Sequence, residues 1–195
     1  MIKKVINRLR SIKNGFHTSL RKLRKGSDYK RWAPEKNLSP SWDSRTKQIA
    51  KLIDARTSVI EFGAGRLILK ASLSDGCTYT PSDLVDRGHG TIVCDLNSDA
   101  LPQLQTYDIA VFSGVLEYVN DLPRLISHLS NYVDVIIASY AVTDTNKLNR
   151  RKQGWVNDFS SKKFIELFGD AGFHCDHTEE WGAQLICRFR KGSAI

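Results

Sequence analysis

The sequence predicts one α/β domain with a doubly wound, mostly parallel sheet of seven strands, preceded by a basic helix. Its 195 residues, 41% of them hydrophobic, are enough for one core of ordinary size. From about residue 41 onward, short apolar runs alternate with helical patterns, which is typical of parallel sheets. The last two apolar runs are joined directly at Trp181-Gly182, which predicts a terminal antiparallel hairpin. We therefore divide the chain into an N-terminal helix and linker, residues 1–40, and a domain, residues 41–195.

The predicted N-terminal helix is amphipathic and strongly basic. Its apolar residues recur every three or four positions, which places them on one side of a helix: Ile2, Val5, Ile6, Leu9, Ile12, Phe16, Leu20 and Leu23. Residues 1–36 hold 12 of the 29 Lys and Arg residues and 2 of the 21 Asp and Glu residues, so the rest carries a net charge of about −2. The basic charge of the protein therefore belongs to its N-terminal segment.

The sequence leaves the partner of this helix open. Residues 2–25 are able to lie on an anionic membrane with the apolar stripe facing down, or to pack that stripe on the domain or on a partner subunit. Nucleic acid and a cleaved organelle-targeting segment are the less favoured alternatives. Residues 26–40 then form a linker, with Trp32 and Trp42 as anchors onto the domain. No apolar run reaches the ~20 residues that span a bilayer, so we expect a cytoplasmic protein, peripheral at a membrane if the helix binds one.

The elements of the domain follow in a regular order. A helix is predicted over Asp43–Asp54, then a β-branched strand over Ser58–Phe62 that stops at Gly63-Ala64-Gly65, then a helix over Arg66–Leu73. Four more strands are predicted over residues 78–83, 91–94, 108–112 and 133–139, two more helices over 116–129 and 160–172, and the hairpin over 173–179 and 184–190.

The cysteines indicate neither a metal site nor a disulfide framework. Cys77, Cys94, Cys175 and Cys187 fall singly along the chain, without the paired spacing that zinc sites use. We therefore expect free thiols in a reducing compartment, and no bound metal.

Two acidic residues flank the glycine turn at a spacing that indicates a nucleoside. Glu61 ends the first strand, and Asp83 follows 22 positions later, near the ~20-residue spacing at which an acid reaches a ribose hydroxyl. A dinucleotide fingerprint would need a glycine where Ile68 stands, and Glu61 would repel a pyrophosphate. S-adenosylmethionine instead carries an ammonium and a sulfonium, which an acid attracts.

The same residues resemble the motifs of class I S-adenosylmethionine-dependent methyltransferases. The resemblance covers residues 41–191 and implies a Rossmann-like methyltransferase fold with S-adenosylmethionine as cofactor. It implies that Glu61, Phe62, Gly63, Ala64 and Gly65 hold the amino-acid end of the cofactor, Asp83 and Leu84 its ribose, and Asp95 and Leu96 its adenine. Residues 107–119, with Ser113 and Gly114, resemble the fourth strand and the methyl-transfer pocket after it.

Two positions depart from that family pattern. Leu67 stands where a third glycine is common, and Tyr118 stands where many small-molecule members have a histidine. Leu67 bears on how closely the cofactor approaches the chain after the first strand. Tyr118 bears on whether this position assists the reaction as the family histidine does.

Methyl transfer is a direct displacement, so the protein mainly aligns the reactants and excludes water. An oxygen or nitrogen nucleophile also needs a base, for which Tyr118 and Asp144 are the first candidates and His128 and His174 the others. The segment 143–157, with Arg150, Arg151, Lys152 and Trp155, is either a lid offering cations to a phosphate or carboxylate, or a solvated connection.

The acceptor follows only by elimination. The motif of amino-methylating nucleic-acid enzymes is replaced by Ser113-Gly114-Val115-Leu116, and the sequence contains no Pro-Cys nucleophile for cytosine. We therefore expect a small-molecule, sugar or lipid-linked acceptor. Two alternatives stay open: an RNA or DNA methyltransferase whose basic helix contacts phosphates, and a non-catalytic binding or scaffold protein of the same fold.

Overall fold

Seven strands form one mixed sheet. The computed structural model describes residues 2–192, with side chains from residue 13 onward. The strands are β1 Ser58–Phe62, β2 Thr78–Asp83, β3 Ile92–Val93, β4 Tyr107–Ser113, β5 Val133–Tyr140, β6 Phe173–Trp181 and β7 Gln184–Lys191. Their order is β3-β2-β1-β4-β5-β7-β6, with β7 antiparallel to both neighbours and the other pairs parallel. The predicted doubly wound sheet and terminal hairpin are confirmed.

Helices cover both faces of this sheet. They are α1 Ile2–Arg24, α2 Tyr29–Trp32, α3 Asp43–Ala50, α4 Leu122–Leu129, α5 Arg150–Gln153 and α6 Ser161–Gly169. One core cluster joins α4 and α6 to β4, β5 and the hairpin, and a second joins α3 to the opposite face. Residues of β4 and β5 belong to both clusters, which explains why these strands are almost continuously apolar.

Two predicted helices differ from the structure. Arg66–Leu73 forms turns and a short 3-10 helix over Lys70–Ser72, because Leu67 adopts φ +58°, which a continuous right-handed helix excludes. The helix predicted from Leu116 is interrupted, and α4 begins only at Leu122. Its start is set by Pro123, which fits the first turn, and by Asp121, whose carboxylate accepts a hydrogen bond from the Arg124 N–H.

Among the described side chains of the N-terminal helix, small residues contact the domain while two residues of the apolar stripe are exposed. Thr18 is fully buried, and a Cβ added at Gly15 would lie 3.8 Å from Cγ of Lys152. Phe16 and Leu23, however, are 69% and 81% exposed. The alternative in which the whole stripe packs on the domain is therefore wrong for these two residues. The side chains of residues 2–12 lie outside the described part.

The described residues contain neither a membrane-spanning helix nor a metal-binding cluster. None of the described helices combines the length and apolar character needed to cross a bilayer. Within residues 2–192, no three His, Cys, Asp or Glu side chains are grouped as a metal site would require. The four cysteines are free thiols, two of them buried.

Candidate functional site

A cavity of about 430 Å³ opens at the carboxyl ends of β1, β2 and β4. The order of strands reverses between β1 and β4, so the cavity lies at the switch point where doubly wound sheets bind ligands. Its volume falls within the range of small-molecule sites, ~300–1,000 Å³. We call the strand ends the floor of the cavity, and residues 26–42, which close one side, the strap.

The floor contains most of the residues that the sequence indicates for the cofactor. Ten of the eleven line the cavity: Glu61, Phe62, Gly63, Ala64, Gly65, Asp83, Leu84, Leu96, Ser113 and Gly114. The structure thus brings these residues together around one space. Their role toward a cofactor stays a prediction.

The turn after β1 depends on glycine for geometric reasons. Gly63 and Gly65 have φ of +72° and +51°, a region that side chains disfavour. A Cβ on Gly63 would also lie only 2.5 Å from Cγ2 of Val115. Leu67, at the position of the third family glycine, keeps the same left-handed backbone at φ +58°. This conformation costs a non-glycine residue roughly 1–2 kcal/mol.

Asp83 connects the turn to the strap. Its Oδ2 accepts a hydrogen bond from Gly65 N at 2.8 Å and lies 3.3 Å from Nε of Arg87. Arg87 donates to the carbonyl oxygens of Trp32 and Ala33 at 2.6 and 2.9 Å. One buried ion pair therefore holds both the floor and the strap in place.

Asp95 is the one predicted cofactor residue that the structure places elsewhere. Its carboxylate accepts hydrogen bonds from Oγ of Ser27 at 2.6 Å and from the Tyr29 hydroxyl at 3.3 Å. Asp95 is not among the residues lining the cavity, whereas its neighbour Leu96 is. The expectation that its side chain faces an adenine is corrected, because the strap engages both carboxylate oxygens.

Glu61 is a buried acid at the end of β1. It is 2% exposed and accepts a hydrogen bond from the Tyr79 hydroxyl at 2.5 Å. Burial raises the pKa of Glu61 to about 8, because the hydrogen bond from Tyr79 and the charge of Arg45 offset only part of the desolvation. A cation bound beside this carboxyl would favour its ionised form.

Arg45, from α3, places a buried cation on the same floor. Its guanidinium donates to Oγ and the carbonyl oxygen of Ser113 at 3.1 and 3.0 Å, and to Oε1 of Gln184 at 3.0 Å. A Cβ on Gly114, where φ is +68°, would lie 2.5 Å from the guanidinium nitrogens, so glycine makes room for it. Sequence analysis missed Arg45. The available signal was an arginine four positions before Ile49 on the buried face of a predicted helix.

Of the two first candidates for the base, only Tyr118 lines the cavity. Its hydroxyl accepts a hydrogen bond from Nε1 of Trp155 at 3.1 Å, and burial raises its pKa to about 12. The phenol is therefore neutral near pH 7 and is a poor base there. Asp144 is exposed, and its carboxylate accepts hydrogen bonds from N and Oγ of Ser161 at the start of α6. Asp144 therefore lies outside the cavity, and its position gives no support to the predicted catalytic role.

The remaining candidate bases also lie away from the floor. Nε2 of His128 lies 3.0 Å from the carbonyl oxygen of Pro102, and His174 is exposed on β6. Glu117, which sequence analysis did not single out, lines the cavity at 1% exposure. Its Oε1 accepts a hydrogen bond from Ala141 N at 2.8 Å, and its Oε2 has no partner among the described residues. Burial raises the pKa of Glu117.

Of the two alternatives for residues 143–157, a cationic lid or a solvated connection, the positions of Arg150 and Arg151 do not support the lid. Arg150 is buried and donates to the carbonyl oxygens of Asn157 and Ala141 and to the Tyr140 hydroxyl. Arg151 pairs with Asp158. Neither guanidinium lines the cavity, and both are bound to the chain around them. Trp155 is the one residue of the four named for the lid that lines the cavity.

Comparisons with known proteins agree with this architecture. A family profile described as a methyltransferase domain matches residues 34–178. The Burkholderia thailandensis 1,6-didemethyltoxoflavin-N1-methyltransferase, solved with 1,6-didemethyltoxoflavin and S-adenosylhomocysteine, is 16% identical over 80% of each chain, with a TM-score of 0.62. The mitomycin 7-O-methyltransferase MmcR is 14% identical over 94% of this chain and 68% of its own, with a TM-score of 0.68.

A third similar structure comes from a human protein. Human N-acetylserotonin methyltransferase, solved in complex with SAM, is 16% identical over 84% of this chain and 56% of its own, with a TM-score of 0.65. At these identities the likeness shows a shared fold. A search of curated protein sequences finds no match to this chain.

Proposed function

The chain belongs to the class I S-adenosylmethionine-dependent methyltransferase family, and from this membership we propose that it methylates a small-molecule acceptor, with the cofactor held on the floor of the cavity. The observation that carries the proposal is that a buried acid, Glu61, and a buried cation, Arg45, both line the cavity beside the glycine turn. The solved neighbours act on small organic compounds by their names, which supports the same acceptor class.

The residues of the floor fit the charges of S-adenosylmethionine. Its methionyl end carries an ammonium, a carboxylate and a sulfonium. Glu61 would hold the positive groups and Arg45 the carboxylate, while the backbone at Gly63 leaves room for close approach. Asp83 would accept hydrogen bonds from the ribose hydroxyls. When bound, the cofactor supplies an electrophilic methyl group.

The chain's own contribution to the reaction is alignment, exclusion of water and removal of a proton. Aromatic side chains and the strap line the cavity beside the floor, where they would align a bound acceptor and displace water from around it. We assign the proton to Oε2 of Glu117 rather than to Tyr118 or Asp144. This oxygen is buried and unpartnered in the described chain, and a raised pKa suits a general base working near neutral pH.

Calorimetry with S-adenosylmethionine and S-adenosylhomocysteine tests the cofactor site. Glu61→Ala and Asp83→Ala should each weaken binding at least ~10-fold, which corresponds to ~1.4 kcal/mol. Glu179→Ala, which removes a carboxylate on β6 outside the cavity, serves as the matched control and should bind as wild type does. Absence of binding by the wild-type protein would favour the scaffold alternative and overturn the proposal.

A labelling experiment tests the class of acceptor. The protein is incubated with methyl-labelled cofactor and, separately, with the low-molecular-mass, nucleic-acid and protein fractions of a cell extract. Label should appear in the low-molecular-mass fraction. Label in RNA or DNA would instead support the alternative in which the basic helix contacts phosphates, and that activity should then fall steeply with salt.

We also propose that the outward face of α1 binds an anionic membrane surface. Phe16 and Leu23 are exposed on this helix, and Lys13, Lys22 and Arg24 are exposed around them. Each basic residue near such a surface contributes ~1 kcal/mol of attraction. A lipid-linked acceptor becomes a reasonable candidate only if this contact exists.

Sedimentation with vesicles tests the membrane contact. Wild type should pellet with phosphatidylserine-containing vesicles and stay in solution with pure phosphatidylcholine. The double variant Phe16→Ser/Leu23→Ser should lose most of that binding, whereas Val93→Ser, an exposed apolar residue of β3, should keep it. Equal pelleting of wild type and the double variant would rule the contact out.

A further inference from the structure

Five arginines line the cavity: Arg21, Arg31, Arg45, Arg66 and Arg87. Three of them form an ion pair: Arg21 lies 2.7 Å from Asp28, Arg66 2.8 Å from Asp43 and Arg87 3.3 Å from Asp83. Arg45 is bound to neutral oxygens of Ser113 and Gln184. The guanidinium of Arg31 alone has neither an ion pair nor a hydrogen bond within the described residues. Residues 1–12 contain no Asp or Glu that could form an ion pair with it.

Arg31 is nevertheless held in place. Its guanidinium carbon lies 5.0 Å from the ring centroid of Trp32 and 5.9 Å from that of Tyr118, which are cation–π distances. On its other side, a Cβ added to Gly154, where φ is +87°, would lie 2.5 Å from Nη1. Gly154 therefore leaves the space that this guanidinium occupies. A fixed, half-buried cation without a counterion is complementary to an anionic ligand.

Aromatic side chains line the cavity that Arg31 faces. All four tryptophans of the chain, Trp32, Trp42, Trp155 and Trp181, line the cavity. Trp32 meets Tyr118 edge-on, with centroids 4.9 Å apart, and lies 6.0 Å from Trp42. Trp155 donates to the Tyr118 hydroxyl. Rigid aromatic surfaces of this kind favour a flat, apolar partner.

We propose that the acceptor is a planar aromatic compound carrying a carboxylate, which Arg31 binds while the ring lies against the tryptophan wall. A guanidinium matches a carboxylate in a bidentate pair, and the nearby rings match the apolar plane of such a ligand. This inference rests on the proposed function, because it names the substrate class of the same cavity. It also predicts where specificity arises: on the strap, which supplies Arg31, Trp32 and Trp42.

Calorimetry on full-length protein saturated with S-adenosylhomocysteine tests the inference. The probes are benzoate, salicylate, anthranilate and 4-hydroxybenzoate, each paired with its uncharged carboxamide. At least one acid should bind at least ~10-fold more tightly than its amide, as expected for a charge-assisted pair worth ~1.4 kcal/mol or more. Cyclohexanecarboxylate, which has the charge without the flat ring, should bind more weakly than benzoate.

Two variants assign the effect to Arg31. Arg31→Gln should remove the preference for acid over amide and leave the affinity for S-adenosylhomocysteine within about 2-fold, which shows that the floor is intact. Arg24→Gln, an exposed arginine of α1 outside the cavity, is the matched control and should keep the preference. Arg31→Lys should keep part of it, since a lysine retains the charge without the planar fork.

The outcomes separate this inference from the proposed function. If wild type binds S-adenosylhomocysteine but no acid more tightly than its amide, the aromatic carboxylate assignment fails and the methyltransferase proposal stands. If the preference exists but Arg31→Gln retains it, the assignment to Arg31 fails. If wild type does not bind S-adenosylhomocysteine, the proposed function itself fails.

Discussion

The floor and the strap enclose the same cavity, but different forces hold them. The floor consists of strand ends whose ladder hydrogen bonds and buried neighbours fix the backbone. The strap has only one turn of α-helix and two short 3-10 helices, and it is attached by side-chain contacts such as Ser27 to Asp95 and Arg87 to Trp32. We infer that the cofactor half is preformed, whereas the acceptor half depends on a segment that loosens more easily.

The largest expected effect is on the floor. Gly63→Ala combines a disfavoured left-handed backbone with a 2.5 Å approach to Val115. Together these should cost about 3 kcal/mol of cofactor affinity, or roughly 100-fold in the dissociation constant, measured by calorimetry. Gly169→Ala in α6, which has open space around it, should leave the affinity unchanged. A weak effect of Gly63→Ala would mean that the floor changes shape more easily than a preformed site would.

A second test uses the buried acid, for which the strap has no equivalent. The pKa of Glu61 is raised to about 8, so folded protein holds a proton that the unfolded chain releases near its ordinary value of 4.5. Stability is therefore full at low pH and falls as pH rises through the interval up to about 8. Between about pH 5.5 and 7.5 the free energy of unfolding should fall by about 2 kcal/mol relative to Glu61→Gln, in urea titrations. Parallel pH profiles of the two proteins would contradict a buried, protonated Glu61.

A third test loosens the strap without touching the floor. Ser27→Ala/Tyr29→Phe removes both hydroxyls that the Asp95 carboxylate accepts from. Losing two hydrogen bonds should cost ~1 kcal/mol each locally, seen as faster amide exchange over residues 27–33. Tyr132→Phe, away from the strap, is the control. Unchanged exchange would show that other contacts hold the strap.

The smallest expected effect concerns the departure from the family glycines. Leu67→Gly relieves a left-handed backbone, but it also loses a half-buried side chain and increases the freedom of the unfolded chain. These contributions nearly cancel, so the free energy of unfolding should change by less than about 1 kcal/mol. Leu69→Ala, at a fully buried position, should lose about 2–5 kcal/mol. A large loss at Leu67 would mean that its side chain matters more than its backbone.

Local patterns predicted the floor well. The β-branched strand, the glycine turn and the two acids at 61 and 83 are each visible within a few residues, and parallel strands necessarily bring their carboxyl ends together. The same approach misplaced the cations. It assigned them to 150–152, where Arg150 and Arg151 are used by the fold, and missed Arg31 and Arg45.

The sequence by itself determined the succession of strands and helices along the chain, the glycine turn and the concentration of basic residues near the N-terminus. These features depend on residues that are close together in the chain. Only the tertiary structure decided which arginines face the cavity, why Asp95 turns to the strap and why Glu117 is buried beside Ala141. Those choices depend on contacts between residues as far as 139 positions apart, and no local period or spacing encodes such contacts.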